Sequence, residues 1–183
     1  MQFQDYLLAN HRFVIIILVL LLARLRHASS GNRFLIGFVN FFGTVLHELA
    51  HYLVGWLLLA RPGRLSLWPR QTAHGFVLGS VSFGNLRFFN TLPTTLAPLL
   101  LLYVAYQADM RFFSYFPETW ITFFVHIFVV TLLLENALPS ATDIQVALGN
   151  PGGILFYAAG GAVILFWERL APEVTRWLGL LRL

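Results

Sequence analysis

The chain is short, at 183 residues, and its composition excludes an ordinary soluble domain. Hydrophobic residues make up 58% of it and charged residues 11%, with a mean hydropathy of +0.72, whereas soluble domains contain about a quarter charged residues. All 12 basic residues are arginines that stand between apolar stretches, which suits contact with lipid headgroups and disfavours nucleic-acid binding. We therefore expect one integral-membrane domain covering residues 1–183.

Apolar segments of about 20 residues, long enough to cross a bilayer, recur along the chain. The first runs from about Tyr6 to Leu25. Arginines follow it where a signal-peptidase site would need small residues, so we expect a retained membrane anchor. The second runs from Phe34 to Ala60 and carries Glu48 as its only charge. Further spans are expected at about Phe88 to Tyr106, Phe112 to Leu134 and Ile154 to Trp167, with an arginine-bearing amphipathic tail after the last.

The connections between these spans complete the expected fold. Alternating segments from Arg64 to Trp68 and from Phe76 to Phe83 predict two short strands joined around His74 and Gly75. Pro93 and Pro98 predict a kinked third span, because membrane bundles tolerate such breaks, and Pro139 is expected to end the fourth. The predicted fold is an all-α polytopic membrane protein of about five transmembrane helices, with a short membrane-associated β-hairpin between the second and third.

The second span contains the pattern His-Glu-x-x-His. On a helix, His47 and His51 are offset by about 40° and about 6 Å along the axis, so both rings can reach one zinc ion. Glu48 lies beside them and can accept a proton from water that zinc activates. Ionisable groups inside an apolar span are costly and are functional by default. A polar stripe at helical spacing predicts that this face lines an interior cleft; it consists of Asn40, Thr44, His47, His51 and Gly55.

Two histidines leave the metal short of protein ligands, because hydrolytic zinc sites usually have three, and the absence of cysteine leaves only nitrogen and oxygen donors. Asp143 is favoured because it follows the fourth span, whose end lies on the same membrane face as the end of the second. Ser140 and Asp143 also form a capping-box pattern, so Asp143 is alternatively a helix cap. We expect His126 to be a hydrogen-bonded histidine between helices. The candidates for the third ligand are Asp109, Glu118, Glu135, Asp143, His74 and His126.

These features together resemble the site-2 protease family of intramembrane zinc metalloproteases. The likeness covers about residues 34–148, the expected catalytic core: His-Glu-x-x-His in an apolar span, a strand-rich stretch, a middle span, and the Asn-x-x-Pro element that starts at Asn136 and leads to Asp143. The chain has no insertion large enough for a PDZ domain, so it would be a minimal member. A gap of four residues separates Pro139 from Asp143, and Ile144 follows, where the family has a gap of five and a glycine.

The resemblance implies an endopeptidase that binds Zn²⁺ through His47, His51 and Asp143 and uses Glu48 as the catalytic base. It implies that Asn136 helps to hold the substrate backbone. The expected substrate is a membrane protein with a transmembrane segment, cut within the lipid bilayer, and the expected location is a bacterial cytoplasmic membrane.

Two other functions are compatible with a polytopic membrane protein. A noncatalytic protein of this fold could bind a transmembrane partner, but it would not need an ionisable group such as Glu48 between two buried histidines. A lipid-modifying di-iron enzyme is disfavoured because such sites resemble larger sets of paired histidines, whereas only two of the six histidines here are paired. The motif therefore favours the protease.

Overall fold

The computed structural model describes residues 10–28, 33–67, 70–72, 75–77, 79–167, 169 and 171. It is mostly helical, with a small antiparallel β region between its second and third helices, as the sequence predicts. The elements in chain order are α1 (His11–Ala28), α2 (Arg33–Leu57), β1 (Pro62–Ser66), β2 (Arg70–Thr72), β3 (Gly75–Val77), β4 (Ser80–Phe83), α3 (Phe88–Thr95), a 3₁₀ turn (Ala97–Leu99), α4 (Leu100–Tyr115), α5 (Trp120–Glu135), α6 (Ala141–Leu148) and α7 (Pro151–Leu165).

Helix α5 packs on two other helices through its apolar side chains. One face, with Phe123, Ile127 and Val130, packs on Ile15 of α1. Another cluster joins Leu133 near its end to α4. Helix α5 therefore connects α1 with α4.

Prolines divide the third apolar segment, as the sequence predicts. Pro93 lies inside α3 and Pro98 inside the 3₁₀ turn, and the helix axis bends there by 47°. A proline lacks the amide that would bond to the carbonyl four residues earlier. The carbonyl of Phe89, four residues before Pro93, instead accepts the Tyr157 hydroxyl of α7.

The fourth segment begins later than expected. Phe112 belongs to α4 and not to α5, so the predicted span from Phe112 to Leu134 is wrong at its start. The chain leaves the helical conformation before Pro117, and Thr119 caps the new helix, where its hydroxyl accepts the backbone N–H of Thr122 at 3.3 Å. A proline disfavours helical geometry in the residue before it, which separates α4 from α5. Helix α5 ends before Pro139, as predicted.

The strand region is a hairpin in two parts. Strand β1 pairs antiparallel with β4, with Leu65 opposite Val81, and β2 pairs with β3. The two strands expected from Arg64 to Trp68 and from Phe76 to Phe83 are thus four shorter ones. The register shifts between Pro62 and Leu65, a bulge that increases the local twist of a strand pair. The predicted turn residue His74, and nearly all of the predicted tail, lie outside the described residues.

The turn between α2 and β1 directs the hairpin back over α2. The amide of Ala60 donates to the carbonyl of Gly55 at 2.8 Å, and that of Leu59 to the carbonyl of Trp56 at 3.2 Å. Leu59 has a φ of 58°, the left-handed conformation that ends many helices and that glycine usually adopts. The chain therefore ends helix α2 and changes direction at Leu59 and Ala60.

In the part of the chain that the structure describes, no single helix is both long and apolar enough to cross a bilayer. Two bent pairs meet the length and hydropathy requirement together: Phe88–Thr95 with Ala97–Tyr115, and Ala141–Leu148 with Pro151–Leu165, which is bent by 81°.

Candidate metal centre

The His-Glu-x-x-His motif lies on the inward face of α2. Asn40, Thr44 and His51 are buried on this face, as the polar stripe predicts, and His47 is half-buried. Glu48 is only 7% exposed. These groups therefore line an interior site and do not face outward.

Two backbone carbonyls orient the histidine rings. The Nδ1 atom of His47 donates to the carbonyl of Asn136 at 2.9 Å, and the Nδ1 atom of His51 donates to the carbonyl of Thr94 at 2.7 Å. A carbonyl oxygen can only accept, so each Nδ1 carries a hydrogen, and in the neutral ring the lone pair is then on Nε2. This tautomer is the one in which a histidine binds a metal through Nε2.

Prolines make both carbonyls available. In a continuous helix the Thr94 carbonyl would accept the amide of residue 98, but Pro98 has none. Asn136 caps the end of α5, where carbonyls have no partner within the helix, and Pro139 lacks the amide that could close a tighter turn onto it. The two predicted helix breaks thus provide the acceptors that hold His51 and His47.

Asp143 completes a triangle of possible ligand atoms. The Nε2 atoms of His47 and His51 are 3.2 Å apart, and the Oδ2 atom of Asp143 lies 3.4 Å from the first and 3.3 Å from the second. Ligands about 2.05 Å from a tetrahedral zinc ion are separated by about 3.3 Å. The donor types and their spacing therefore fit zinc.

Asp143 also caps helix α6, the alternative role considered for it. Its Oδ2 atom accepts the backbone N–H of Ser140 at 2.7 Å, and its own N–H donates to the Ser140 hydroxyl at 3.2 Å. This capping box fixes the carboxylate in the direction of the histidines. The cap is therefore a positioning device for the possible ligand.

The triangle has three possible protein ligands. Within the described ranges, no further histidine, cysteine or carboxylate joins His47, His51 and Asp143 closely enough to share a metal ion. Glu48 interacts electrostatically with all three. Three protein ligands with a free fourth position are typical of catalytic zinc sites, whereas structural sites have four protein ligands.

The hairpin lies directly against the motif. A Cβ atom on Gly79 would come within 2.6 Å of Thr44 and 2.7 Å of Glu48, and one on Gly55 would collide with Phe83 of β4. Gly79 lets the backbone just before β4 approach α2. Gly55 lets β4 itself lie alongside α2. The start of the strand therefore covers the carboxylate of Glu48.

Three of the other candidates for the third ligand lie elsewhere. Asp109 and His126 belong to a different cluster, and Glu118 is exposed before α5. His126 lies between helices, as expected, and its Nε2 atom is 3.4 Å from the Oδ1 atom of Asp109 in α4. Neither ring nitrogen makes a regular hydrogen bond, so the contact with Asp109 is an ion-pair contact between helices.

Asn136 takes part in the centre through its backbone. Its carbonyl holds His47, while its side-chain amide donates to the carbonyl of Leu132 at 2.8 Å. Its predicted role in holding substrate stays a prediction. Sequence inspection did not identify Thr94 as the residue that orients His51; the available signal was Pro98, four residues later.

No family model, curated protein or solved structure matches this chain. Its function is therefore inferred from the residue pattern and from the geometry of the centre.

Zinc titration can separate the two roles of Asp143. Asp143→Asn retains an oxygen for the helix cap but loses the carboxylate charge, so we expect zinc affinity at this centre to fall at least about 100-fold. Ser140→Ala is the control, because it removes a cap acceptor and should cost about 1 kcal/mol of stability while zinc affinity stays near the wild-type value. Equal losses of affinity in the two variants would show that Asp143 acts only as a cap.

Proposed function

We propose that this chain is an intramembrane zinc metalloprotease that hydrolyses peptide bonds in or near transmembrane segments of other proteins. The observation that carries the proposal is the triangle of His47, His51 and Asp143 at zinc spacing, with both imidazole tautomers fixed by carbonyls. A buried glutamate adjacent to these ligands distinguishes a hydrolytic centre from a structural one.

The protein groups divide the chemistry among them. Zinc held by His47, His51 and Asp143 would supply a Lewis acid that polarises a carbonyl and acidifies water. Glu48 accepts the proton from the attacking water and can deliver it to the leaving amine. Burial keeps bulk water from competing for this carboxylate, and Gly79 leaves it just enough room. The carbonyls of Asn136 and Thr94 keep His47 and His51 in the tautomer that can bind a metal through Nε2.

The outer surface of the helices supports a location in the bilayer. Large apolar side chains are exposed along every long helix, far more than soluble proteins leave in contact with water. Helix α5 is about 24 Å long, shorter than the hydrocarbon core of about 30 Å, so local thinning of the bilayer or bent pairs would complete the crossing. The exposed residues include Phe13, Ile17, Leu20, Phe42, Leu53, Trp56, Ile121, Phe124, Phe128, Leu155 and Ile164.

Strand β4 offers a place for an extended substrate. A transmembrane helix hides its amides in internal hydrogen bonds, so it must unwind before cleavage. Strand β4 runs beside the motif, from Gly79 at Glu48 to Phe83 at Gly55, and belongs to a two-stranded sheet. An unwound peptide can add to the edge of such a sheet through main-chain hydrogen bonds. This would bring the scissile bond to the fourth coordination position of the metal, which the three proposed ligands leave free.

Replacing the proposed base tests the mechanism. Glu48→Gln preserves shape but cannot accept a proton, so we expect cleavage of a single-span membrane protein to fall by about 10²–10⁴-fold while zinc content stays unchanged. The measurement is cleavage rate in detergent or liposomes, with zinc determined on the same samples. Glu118→Gln, which changes an exposed carboxyl, is the matched control and should retain full activity.

Two results would contradict the mechanism. Undiminished cleavage by Glu48→Gln would exclude Glu48 as the base. A zinc-loaded wild type that binds single-span proteins without cutting any of them would favour the noncatalytic partner-binding protein instead.

A proline in the strand beside the motif tests the substrate edge. Val81→Pro removes an amide from β4 and should lower cleavage at least about tenfold without releasing zinc, because extended peptides depend on main-chain pairing. Val77→Pro makes the same change in β3, in the other strand pair, and should leave cleavage near wild type. Equal activity of Val81→Pro and wild type on a defined substrate would exclude β4 as the docking edge.

A further inference from the structure

A second group of histidine and carboxylate side chains lies where α1, α4 and α5 meet. The Oδ1 atom of Asp109 is 3.0 Å from the Nε2 atom of His11 and 3.4 Å from the Nε2 atom of His126. All three ligand atoms lie within 4.8 Å of one another. His126 precedes Asn136 by about 15 Å along α5, so this cluster is separate from the centre at His47.

His126 is a buried imidazole without a regular hydrogen bond, and the carboxylate of Asp109 is its polar neighbour. Its side chain is 0% exposed, and neither ring nitrogen makes a hydrogen bond. The rings of Phe112 and Phe113 flank it, each with its centroid 5.0 Å away, and offer no acceptor. Buried polar groups are almost always satisfied by protein, water or an ion, and the Nε2 atom faces the carboxylate of Asp109. The ring is therefore placed to bind an ion shared with that carboxylate.

Arg12 holds the carboxylate in this direction. Its Nε donates to the Oδ2 atom of Asp109 at 3.2 Å, which leaves Oδ1 to face the two histidines. The Arg12 side chain is 67% exposed, so solvent and salt screen its repulsion for a cation at the cluster. A charged group behind a ligating carboxylate is a common way to fix its orientation.

We propose that His11, Asp109 and His126 bind a second divalent transition-metal ion, which fastens the first turn of α1 to α4 and α5. Two imidazoles and a carboxylate are a donor set that suits zinc. His11 is the first residue of α1, and Ile15, one turn later, packs on Phe123 and Ile127 of α5. The ion would therefore hold the first residue of α1 in place, next to the turn of α1 that packs on α5. This site does not depend on the chain being a protease.

The experiment uses a chain without the histidine pair of the first centre. The His47→Ala/His51→Ala variant, purified in detergent and dialysed against Zn²⁺, should retain a single zinc ion, and its Tm should rise with Zn²⁺ and fall with a chelator. Adding Asp109→Asn should remove the ion and the response of Tm to Zn²⁺. Adding Glu118→Gln, an exposed carboxyl, should change neither. Arg12→Gln should keep the ion, because Arg12 orients the carboxylate without binding metal.

The result for the two-alanine variant decides the proposal even if Asp109→Asn fails to fold. A folded variant that holds no zinc, and whose Tm does not respond to Zn²⁺, overturns it. The cluster is then an ion-pair network in which Arg12→Gln destabilises the chain as much as Asp109→Asn does. Visible absorption bands from Co²⁺ bound to the two-alanine variant would support the second metal site. Because this variant lacks His47 and His51, none of these results depends on whether the wild type cleaves peptides.

Discussion

The structure around the centre depends on two hydrogen bonds from histidine rings to backbone carbonyls. They fix the hydrogen of each imidazole on Nδ1 and direct both Nε2 lone pairs at one point. They also tie α2 to the end of α3 and to the end of α5, three elements that are distant in sequence. A change in the backbone at Thr94 or at Asn136 would displace a histidine ring and so alter the triangle of possible ligand atoms. The same two contacts set the direction of the rings and the packing of the helices.

Prolines make this arrangement possible. Inside a continuous helix each carbonyl is already engaged by an amide of the same helix. Pro98 and Pro139 leave the carbonyls of Thr94 and Asn136 open, and the histidines of α2 occupy them. Pro93 does the same for Phe89, which accepts Tyr157 of α7. Each break that weakens a helix therefore supplies a contact to a neighbouring one.

The capping box of α6 is the second constraint on the centre. One carboxylate oxygen of Asp143 accepts the Ser140 amide and faces both histidines. The short connection after Pro139 thus sets the position of the carboxylate without a longer loop. Gly79 lies against Glu48, so backbone geometry as well as side-chain packing holds the proposed base and the proposed ligand Asp143.

Much of this could be predicted from the sequence because it depends on local rules. Helical spacing gave the shared face of His47 and His51, proline chemistry gave the kink after α3, and the order of spans brought Asp143 to the motif. The start of α5 was misplaced because apolar composition continues across Pro117. The split of the hairpin into two strand pairs was missed because alternating residues indicate strands but do not show where strand pairing stops. The state of His126 depends on aromatic neighbours and on Asp109, contacts that periodicity does not reveal.

Anomalous diffraction at the zinc edge from crystals of the zinc-loaded chain tests the proposed centre most directly. We predict a zinc peak about 2.0–2.2 Å from the Nε2 atoms of His47 and His51 and from a carboxylate oxygen of Asp143, with no fourth protein ligand. A map without zinc between these three side chains would contradict the assignment. A fourth protein side chain bound to the ion would contradict it equally, because the site would then be structural.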